Sequence, residues 1–263
     1  MFSILRSLWR WRRLVARLAR REFRARYAGS ALGAAWAVLE PAVQFGLYLF
    51  VFAYFLGMRI ESNGSVSSFG LYLVAGLVPY LALQESLVRA ASLARSNAAL
   101  VRQVGLPLEV LLAGTLGAVV ARHAVAFGLI VVAAAAMGSI LWSQLPWLGL
   151  GVLLLAALVF GLALALLPVG AFLPDVAQLV GTGTTVLFFL APIVYPPSAL
   201  PAEFRRFLFL NPLTGLADTF RAGIGLTPPA PEALAVTAAV ALVSLVTGAL
   251  VFNRRAAAVR DLV

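Results

Sequence analysis

The residue types that most often carry chemistry are scarce in this chain. Its 263 residues include no cysteine, no lysine and a single histidine, His123. Cysteine nucleophiles, thiolate metal sites and multi-histidine zinc sites are therefore excluded. A phosphate-binding loop of the Gly-x-x-x-x-Gly-Lys type is excluded as well, because it needs lysine. We expect no cofactor in this chain, and any ATP chemistry must come from another polypeptide.

Arginine is the one abundant chemical type, and guanidinium groups pair well with phosphate oxygens. Twenty basic residues stand against ten acidic ones, for a net charge of +10. The arginines concentrate in the first 26 residues, where their positions and the apolar positions fall on opposite sides of a helical projection. The apolar side consists of Ile4, Leu8, Trp11, Val15 and Leu18. The pattern predicts a cytoplasmic amphipathic helix over residues 1–30, lying in the headgroup plane with Trp9 and Trp11 at the interface.

The composition of the chain predicts an all-α integral membrane protein. Hydrophobic residues make up 62% and charged residues 11%, whereas a soluble domain carries about 25% charged residues. Residues 31–263 are expected to form a domain of six transmembrane helices. The expected spans, each near the length that crosses a bilayer, are residues 36–57, 69–88, 110–141, 147–172, 176–195 and 233–252.

The distribution of arginine predicts the orientation of the spans. With the N-terminus inside, fifteen arginines fall on the inner side, and the outer segments hold only Arg59, Arg205, Arg206 and Arg221. The positive-inside rule then places both termini in the cytoplasm. The same distribution explains the positive charge without nucleic acid, for which no aromatic–basic groove or motif is present.

The segment between the fifth and sixth spans, residues 196–231, is unusual for a loop. Phe204, Phe207 and Leu210 are too apolar for open water, and Asn211-Pro212 interrupts the run. We expect two short re-entrant helices here, since such backbone is tolerated only where it is buried in protein or lines a cavity. This predicts a permeation path near the outer face.

Several stretches together are similar to a known family. They are Arg21 to Trp36 with the sequence REFRARYAGSALGAAW, Glu40-Pro41, Asn97 with Leu106-Pro107, Ala191 to Pro196 with the sequence APIVYP, and Asn211-Pro212-Leu213 with Arg221. In this order they resemble type-2 ABC transporter permeases that export polysaccharide and polyol-phosphate polymers such as O-antigen, teichoic acid and capsule. One departure is Pro174 before Asp175, where the family often has arginine. Asp175 is expected to cap the fifth helix.

The resemblance implies a transport subunit without enzymatic activity. It implies a homodimer in the bacterial cytoplasmic (inner) membrane that moves a lipid-linked polysaccharide. Two separate ATPase subunits would bind ATP and magnesium and drive the export. Residues 92–103 are the expected docking element for the ATPase, with Ser92, Arg95, Asn97 and Arg102 as contact candidates, and a solvated turn is the alternative.

The first span offers a candidate channel surface. Phe45, Tyr48, Phe52 and Phe55 recur at spacings of three, four and three and should share one helical face. Aromatic faces stack on sugar rings, although packing against helices or lipid explains such a stripe equally well. Additional candidates for the substrate channel are Tyr80, Phe188, Phe189 and Tyr195.

Charged residues near the first span are candidates for a cytoplasmic gate that receives a diphosphate. They are Arg20, Arg21, Arg24, Arg26 and Glu40, the last of which lies just inside the span. Attraction of the arginines to anionic headgroups is the alternative. Arg122, beside His123 within the third span, is expected to snorkel toward the cytoplasm.

Four other functions compete with polymer export. A type-2 ABC permease for drugs or lipids would share the fold, while an ion-driven carrier would show repeated halves, which are missing. A membrane enzyme acting on polyprenyl phosphates would need clustered acids or histidines, and the acids are scattered along the sequence. A scaffold subunit would leave Glu40 and the outer segment without a role.

Overall fold

The computed structural model describes residues 2–58, 60, 66–140 and 142–262, and within these ranges it contains helices and no strand. The α-helices are α1 Phe2–Arg10, α2 Arg12–Tyr27, α3 Trp36–Tyr48, α4 Val66–Ser96, α5 Ala98–Val104, α6 Leu108–Ala136, α7 Leu145–Phe172, α8 Val176–Phe189, α9 Ala202–Leu208, α10 Pro212–Gly223 and α11 Pro231–Leu262. A π-helix, Leu49–Phe55, continues α3. Arg59 and Leu141, counted above with an outer segment and the third span, lie outside the described residues.

Five described segments are long and apolar enough to cross a membrane. They are Gly33–Phe55, Ser68–Ser96, Leu108–Ala136, Leu145–Phe172 and Pro231–Val259. The fifth predicted span forms the shorter α8, which has 14 residues. The chain is therefore an all-helical, multi-pass membrane protein, as its composition predicts.

The N-terminal arginine-rich segment is helical, but Trp11 divides it into α1 and α2. Most of its predicted apolar face packs against the protein, since Ile4 is buried and the Leu18 side chain lies against α6 at Gly114, whereas Trp11 is exposed. An added Cβ at Gly114 would lie 2.7 Å from the Cβ of Leu18. The arginines occupy the exposed side. The placement of this segment in the headgroup plane stays a prediction.

Two helices run further than the apolar pattern indicates. The second predicted span, residues 69–88, is part of α4, which continues to Ser96, and the last helix continues ten residues beyond residue 252 to Leu262. The extension of α4 is helical because one of its faces remains packed, with Ala90, Leu93 and Ala94 buried. Arg89 and Arg95 hide this continuation in the sequence, because they interrupt the apolar run.

Helix α4 is the centre of the bundle and contacts α6, α7, α8 and α10. Glycines allow the backbones to touch: a Cβ at Gly170 of α7 would lie 1.9 Å from the carbonyl oxygen of Ala91 in α4. Similarly, a Cβ at Gly248 of α11 would lie 1.9 Å from the carbonyl oxygen of Gly161 in α7. In the segment Gly33–Phe55, in contrast, only Ala37 and Ala53 are buried.

The two ends of the bundle are called the Arg95 end and the Arg221 end. At the Arg95 end, Arg95 donates to the carbonyl of Pro174 (3.0 Å), and α8 begins directly after this point. Asp175 occupies the N-cap position of α8 as predicted, but its side chain makes no capping hydrogen bond. At the Arg221 end, α10 lies buried against α4, α7 and α11.

Candidate functional site: a charged cavity between helices

A cavity of about 470 Å³ lies between the end of α2 and the helices α3, α4 and α6. Its polar lining comprises Arg26, Glu40, Gln44, Gln84, Glu85, Arg89, Arg122 and His123. Apolar side chains that include Phe45, Val78 and Val88 form the rest of the wall. The cavity therefore combines several charges with an apolar surface inside a membrane protein, where charges are costly and usually functional.

Glu85 is the centre of this charge cluster. One of its carboxylate oxygens accepts a hydrogen bond from Nε of Arg89 (2.9 Å) and lies 3.9 Å from Nη1 of Arg26. The other oxygen pairs with the Arg122 guanidinium of α6. Glu85 and Arg89 share a face of α4 because they are four residues apart. Three arginines from three helices thus meet on one carboxylate.

Two more carboxylates complete the cluster. Nη2 of Arg26 donates to Glu40 of α3 at 2.9 Å, and Nη1 of Arg89 lies 3.6 Å from Glu22 of α2. Glu22 also accepts a hydrogen bond from Oγ1 of Thr115 in α6 (2.8 Å). The six charges of this set, the charge cluster (Arg26, Arg89 and Arg122 with Glu22, Glu40 and Glu85), sum to zero.

The close packing of α2 on α6 positions Glu22. The Cβ of Ala19 lies only 3.1 Å from the place of a Cβ at Gly117, so the two helices are in near backbone contact. One turn further along α2, this contact brings the Glu22 carboxylate to Thr115. The charge cluster therefore joins the N-terminal segment, the first span, α4 and α6.

The side chains of the charge cluster can exchange ion-pair partners, but they are not arranged for a catalytic step. Nδ1 of His123 lies 3.0 Å from the carbonyl oxygen of Val119, and its Nε2 lies 4.0 Å from Glu85. Among the described residues, no group of three or more histidine, aspartate or glutamate side chains is arranged to hold a metal ion. An anionic ligand that entered the cavity would have to replace a carboxylate on one of the arginines.

Of the predicted gate residues, the structure brings Arg26 and Glu40 together. Arg20, Arg21 and Arg24 are exposed on α2 and are not part of the cavity lining. Arg122 does not snorkel: its side chain is only 12% exposed and pairs with Glu85. This pairing is the reason, because a partnered guanidinium has no need to reach water.

The predicted aromatic stripe is interrupted by the π-helix. Phe45 lines the cavity, and Tyr48 and Phe52 stack on each other with ring centroids 6.1 Å apart. Phe55 is 79% exposed. A π-helix turns less per residue than an α-helix, so the spacing of three no longer keeps Phe55 on the face of Phe52. The prediction of one shared face is wrong for Phe55, and the channel role of the stripe stays a prediction.

Two of the other aromatic candidates belong to the core. The rings of Tyr80 and Phe188 stack with centroids 4.5 Å apart, and both side chains are buried. Phe189 is 61% exposed, and the Tyr195 hydroxyl donates to the carbonyl oxygen of Phe189 (2.9 Å). Among these four, Phe189 alone presents a largely free ring to the surroundings of this chain.

The predicted docking element, residues 92–103, covers the end of α4 and most of α5. Ser92 donates to backbone carbonyls of α4, and Asn97 marks the break between the two helices and donates to the carbonyl of Leu93 (3.1 Å). Arg102 donates to the carbonyl of Leu262 at 3.3 Å. The element is therefore helical, lies at the Arg95 end and touches the last turn of α11.

Arg221 organises the other end of the bundle. It is buried, and it donates to the carbonyls of Tyr72 (3.0 Å), Pro192 (2.8 Å) and Ile193 (3.2 Å) and to Asp218 (2.9 Å). Its guanidinium carbon lies 3.4 Å from the centre of the Tyr72 ring. Arg221 was counted above with the arginines of the outer segments. Because its guanidinium group is buried and hydrogen-bonded inside the bundle, it gives no information on the orientation of the spans in the membrane.

Sequence reasoning missed Glu85, Arg89 and Arg122 as members of one site. The i, i+4 spacing of Glu85 and Arg89 was visible in the sequence. The isolated Arg122 inside an apolar run was a second signal, because a buried guanidinium requires an acidic partner. The identity of that partner was not visible, since Glu85 and Arg122 lie on different helices.

Comparisons with known proteins agree with this architecture. The model of the ABC-2 type transporter family matches residues 13–224. O-antigen export system permease protein RfbA of Myxococcus xanthus is 28% identical over 260 residues, which are 97% of each chain. RfbA of Klebsiella pneumoniae is 23% identical over 212 residues (79% and 78% of the two chains), and polysialic acid transport protein KpsM of Escherichia coli is 24% identical over 210 residues (78% of each). Because the family match covers most of its length, the chain belongs to the ABC-2 type transporter family of membrane permeases.

Proposed function

We propose that the chain is the permease subunit of an ATP-driven exporter that moves a lipid-linked polysaccharide across the cytoplasmic membrane. The observation that carries this proposal is the similarity along 97% of both chains to a permease named for O-antigen export. Relatives named for O-antigen and polysialic acid export favour a polymer over a drug as the substrate.

Two copies of the chain and two separate ATPase subunits form the proposed exporter. The chain has no lysine for a phosphate-binding loop, so ATP and magnesium bind to the partner. The proposed contact between the two copies includes the first span, where Val43, Leu47 and Phe50 are each more than half exposed.

The proposed topology has six spans, with the Arg95 end in the cytoplasm. Its fifth span is α8 together with the turn that follows. Directly before this segment, the carbonyl of Pro174 accepts a hydrogen bond from Arg95, and at its other end the carbonyl of Pro192 accepts one from the hydroxyl of Tyr72 (2.8 Å). The segment therefore runs between the levels of residues 95 and 72 of α4. Residues 72 and 95 of a helix lie about 34 Å apart, which is close to the thickness of a bilayer core.

The charge cluster is the proposed cytoplasmic gate. The pair of Arg26 and Glu40 holds the first span to α2, and Arg26 also lies 3.9 Å from Glu85 of α4. The diphosphate of a lipid-linked substrate would compete with these carboxylates for the arginines. Movement of the docking element would reach the cluster through α4, which contains Glu85, Arg89 and Ser92.

The test is purification of the chain with its partners from native membranes, followed by mass spectrometry. We expect a stoichiometric soluble partner with a phosphate-binding loop, whose ATPase activity rises on addition of lipid-linked polysaccharide. A variant with Arg102→Glu in the docking element should lose the partner, while Arg206→Glu in α9 should retain it. Recovery of the chain without an ATPase, under conditions that preserve other exporter complexes, contradicts the proposal.

A further inference from the structure

A groove of about 500 Å³ lies between α7 and α11 at the Arg95 end, apart from the charge cluster. Its lining combines apolar side chains with two adjacent arginines. It consists of Pro168, Val169, Phe172, Leu173, Val251, Arg254 and Arg255. No residue of the proposed channel, gate or docking element is among them.

The crossing of the two helices explains where the groove lies. The helices are in backbone contact at Gly161 and Gly248, where an added Cβ would overlap a carbonyl oxygen. The groove lies beyond this contact, and Arg254 is about 9 Å further along α11. Side chains on both helices then line a cleft in place of a direct contact.

The apolar wall of the groove is open to the surroundings. Val169 is 38% exposed, Phe172 42% and Leu173 58%. These side chains follow the last turns of α7 toward the end of the bundle. An occupant with an apolar chain would cover them, whereas a free inorganic ion would leave them bare.

The rim of the groove carries two positive charges without a partner in the described part of the chain. Arg254 and Arg255 are both exposed, and within the described ranges no ion pair or hydrogen bond of either side chain is found. Neighbouring guanidinium groups attract a phosphate, which accepts several hydrogen bonds at once.

We propose that the groove binds an anionic phospholipid, with its phosphate at Arg254 and Arg255 and an acyl chain along Val169 and Phe172. Basic pockets between transmembrane helices near the cytoplasmic side suit such headgroups. The assignment rests on the proposed function only in placing this end in the cytoplasmic leaflet. It does not depend on which substrate is exported.

The test measures lipid retention by native mass spectrometry on the delipidated complex of the chain with its ATPase. Phosphatidylglycerol and phosphatidylcholine with identical acyl chains are titrated separately. We expect one preferred phosphatidylglycerol per chain, with affinity reduced about tenfold or more in an Arg254→Gln/Arg255→Gln variant. The matched control, Arg205→Gln/Arg206→Gln, removes two adjacent exposed arginines of α9 at the Arg221 end and should retain that lipid.

A second variant separates the groove from its charge. Val251→Trp fills the apolar wall and keeps both arginines, so it should also weaken phosphatidylglycerol binding.

Equal affinity for the two lipids, or an equal loss in the control, overturns the proposal. So does displacement of the lipid by inorganic phosphate at the same concentration, which would identify an ion site. Binding to the chain alone but not to its complex would assign the groove to the protein partner. Loss of transport with lipid binding intact would concern the proposed function alone.

Discussion

At the scale of single residues, Glu85 determines the electrostatics of the cavity. Its side chain is 22% exposed, and it receives the 12% exposed Arg122 from a neighbouring helix. Removing one member of such a pair leaves the other charge poorly solvated and costs about 3–5 kcal/mol when burial is complete. Replacing both members by neutral groups avoids that penalty.

We therefore predict non-additive effects for this pair. Glu85→Gln and Arg122→Gln should each lower the free energy of unfolding by about 2 kcal/mol or more. The double variant should recover part of the loss, because Arg122 is then not left without its carboxylate, while Arg26 and Arg89 keep Glu40 and Glu22. Thermal unfolding of the three variants in one detergent measures the coupling.

The matched control for this cycle uses Glu203 of α9 and Arg10 of α1, two exposed residues on different helices. Their neutral variants should each change stability by less than about 0.5 kcal/mol. If the losses at Glu85 and Arg122 simply add, the two side chains act independently and the cluster has no central pair.

Arg221 leads to a second prediction at this scale. Lysine keeps the charge but cannot donate in the directions of three carbonyls while stacking on Tyr72. Arg221→Lys should destabilise the protein by about 1–3 kcal/mol, whereas Arg206→Lys on the exposed surface of α9 should be near neutral. An unfolding midpoint equal to that of the parent would show that charge alone is sufficient.

At the residue scale, the sequence grouped two residues that the structure brings together, while their role as a gate stays a prediction. Arg26 and Glu40 were both assigned to one gate because they flank the start of the first span, and they form an ion pair. Arg122 was assigned to the wrong environment, since its partner Glu85 is 37 positions away on another helix. Periodicity describes one helix and gives no information on which faces of two helices meet.

At the scale of helices, glycine positions set how closely the central helices approach. We predict that Gly170→Ala destabilises the bundle by about 1–3 kcal/mol or more, because the new Cβ meets the rigid backbone of Ala91. Gly183→Ala in α8 meets nothing within 4 Å and should stabilise the protein by up to about 1 kcal/mol through helix propensity. If the apparent melting temperatures of both variants shift in the same direction, this explanation is wrong.

Composition located the helices but not their ends or their internal pitch. The fourth predicted span, residues 147–172, agrees with α7 within two residues because polar Ser143 and Gln144 precede the apolar run and Pro174-Asp175 follows it. The π-helix Leu49–Phe55 consists of apolar residues that suit an α-helix equally well. At the start of this segment, the side chain of Leu49 packs closely on α4, 2.8 Å from the place of a Cβ at Gly70.

At the scale of the whole molecule, the two ends of the bundle should face different compartments. Because the chain has no cysteine, single introduced cysteines can report on this. Ser198→Cys lies in the turn near the Arg221 end, and Ser96→Cys ends α4 at the Arg95 end, and both side chains are exposed. We predict that a membrane-impermeant maleimide labels the first in intact cells and the second only after lysis.

The labelling experiment has two informative alternatives. If both cysteines react in intact cells, α8 does not cross the membrane and the six-span topology is wrong. If Ser96→Cys alone reacts, the orientation is inverted. Cysteine at Ser3, which is exposed on α1, is a control that should behave like the one at residue 96.

The buried guanidinium of Arg221 also has a consequence for biosynthesis. It joins Tyr72 and Pro192, and its bond to the first of these spans 149 positions of the chain. Helix α4 is therefore synthesised well before Arg221. The helices at the Arg221 end can pack in their final arrangement only after residue 221 of 263 has been made. Nascent chains that stop short of this residue should remain loosely assembled, and they are the forms that membrane proteases and insertion chaperones would meet.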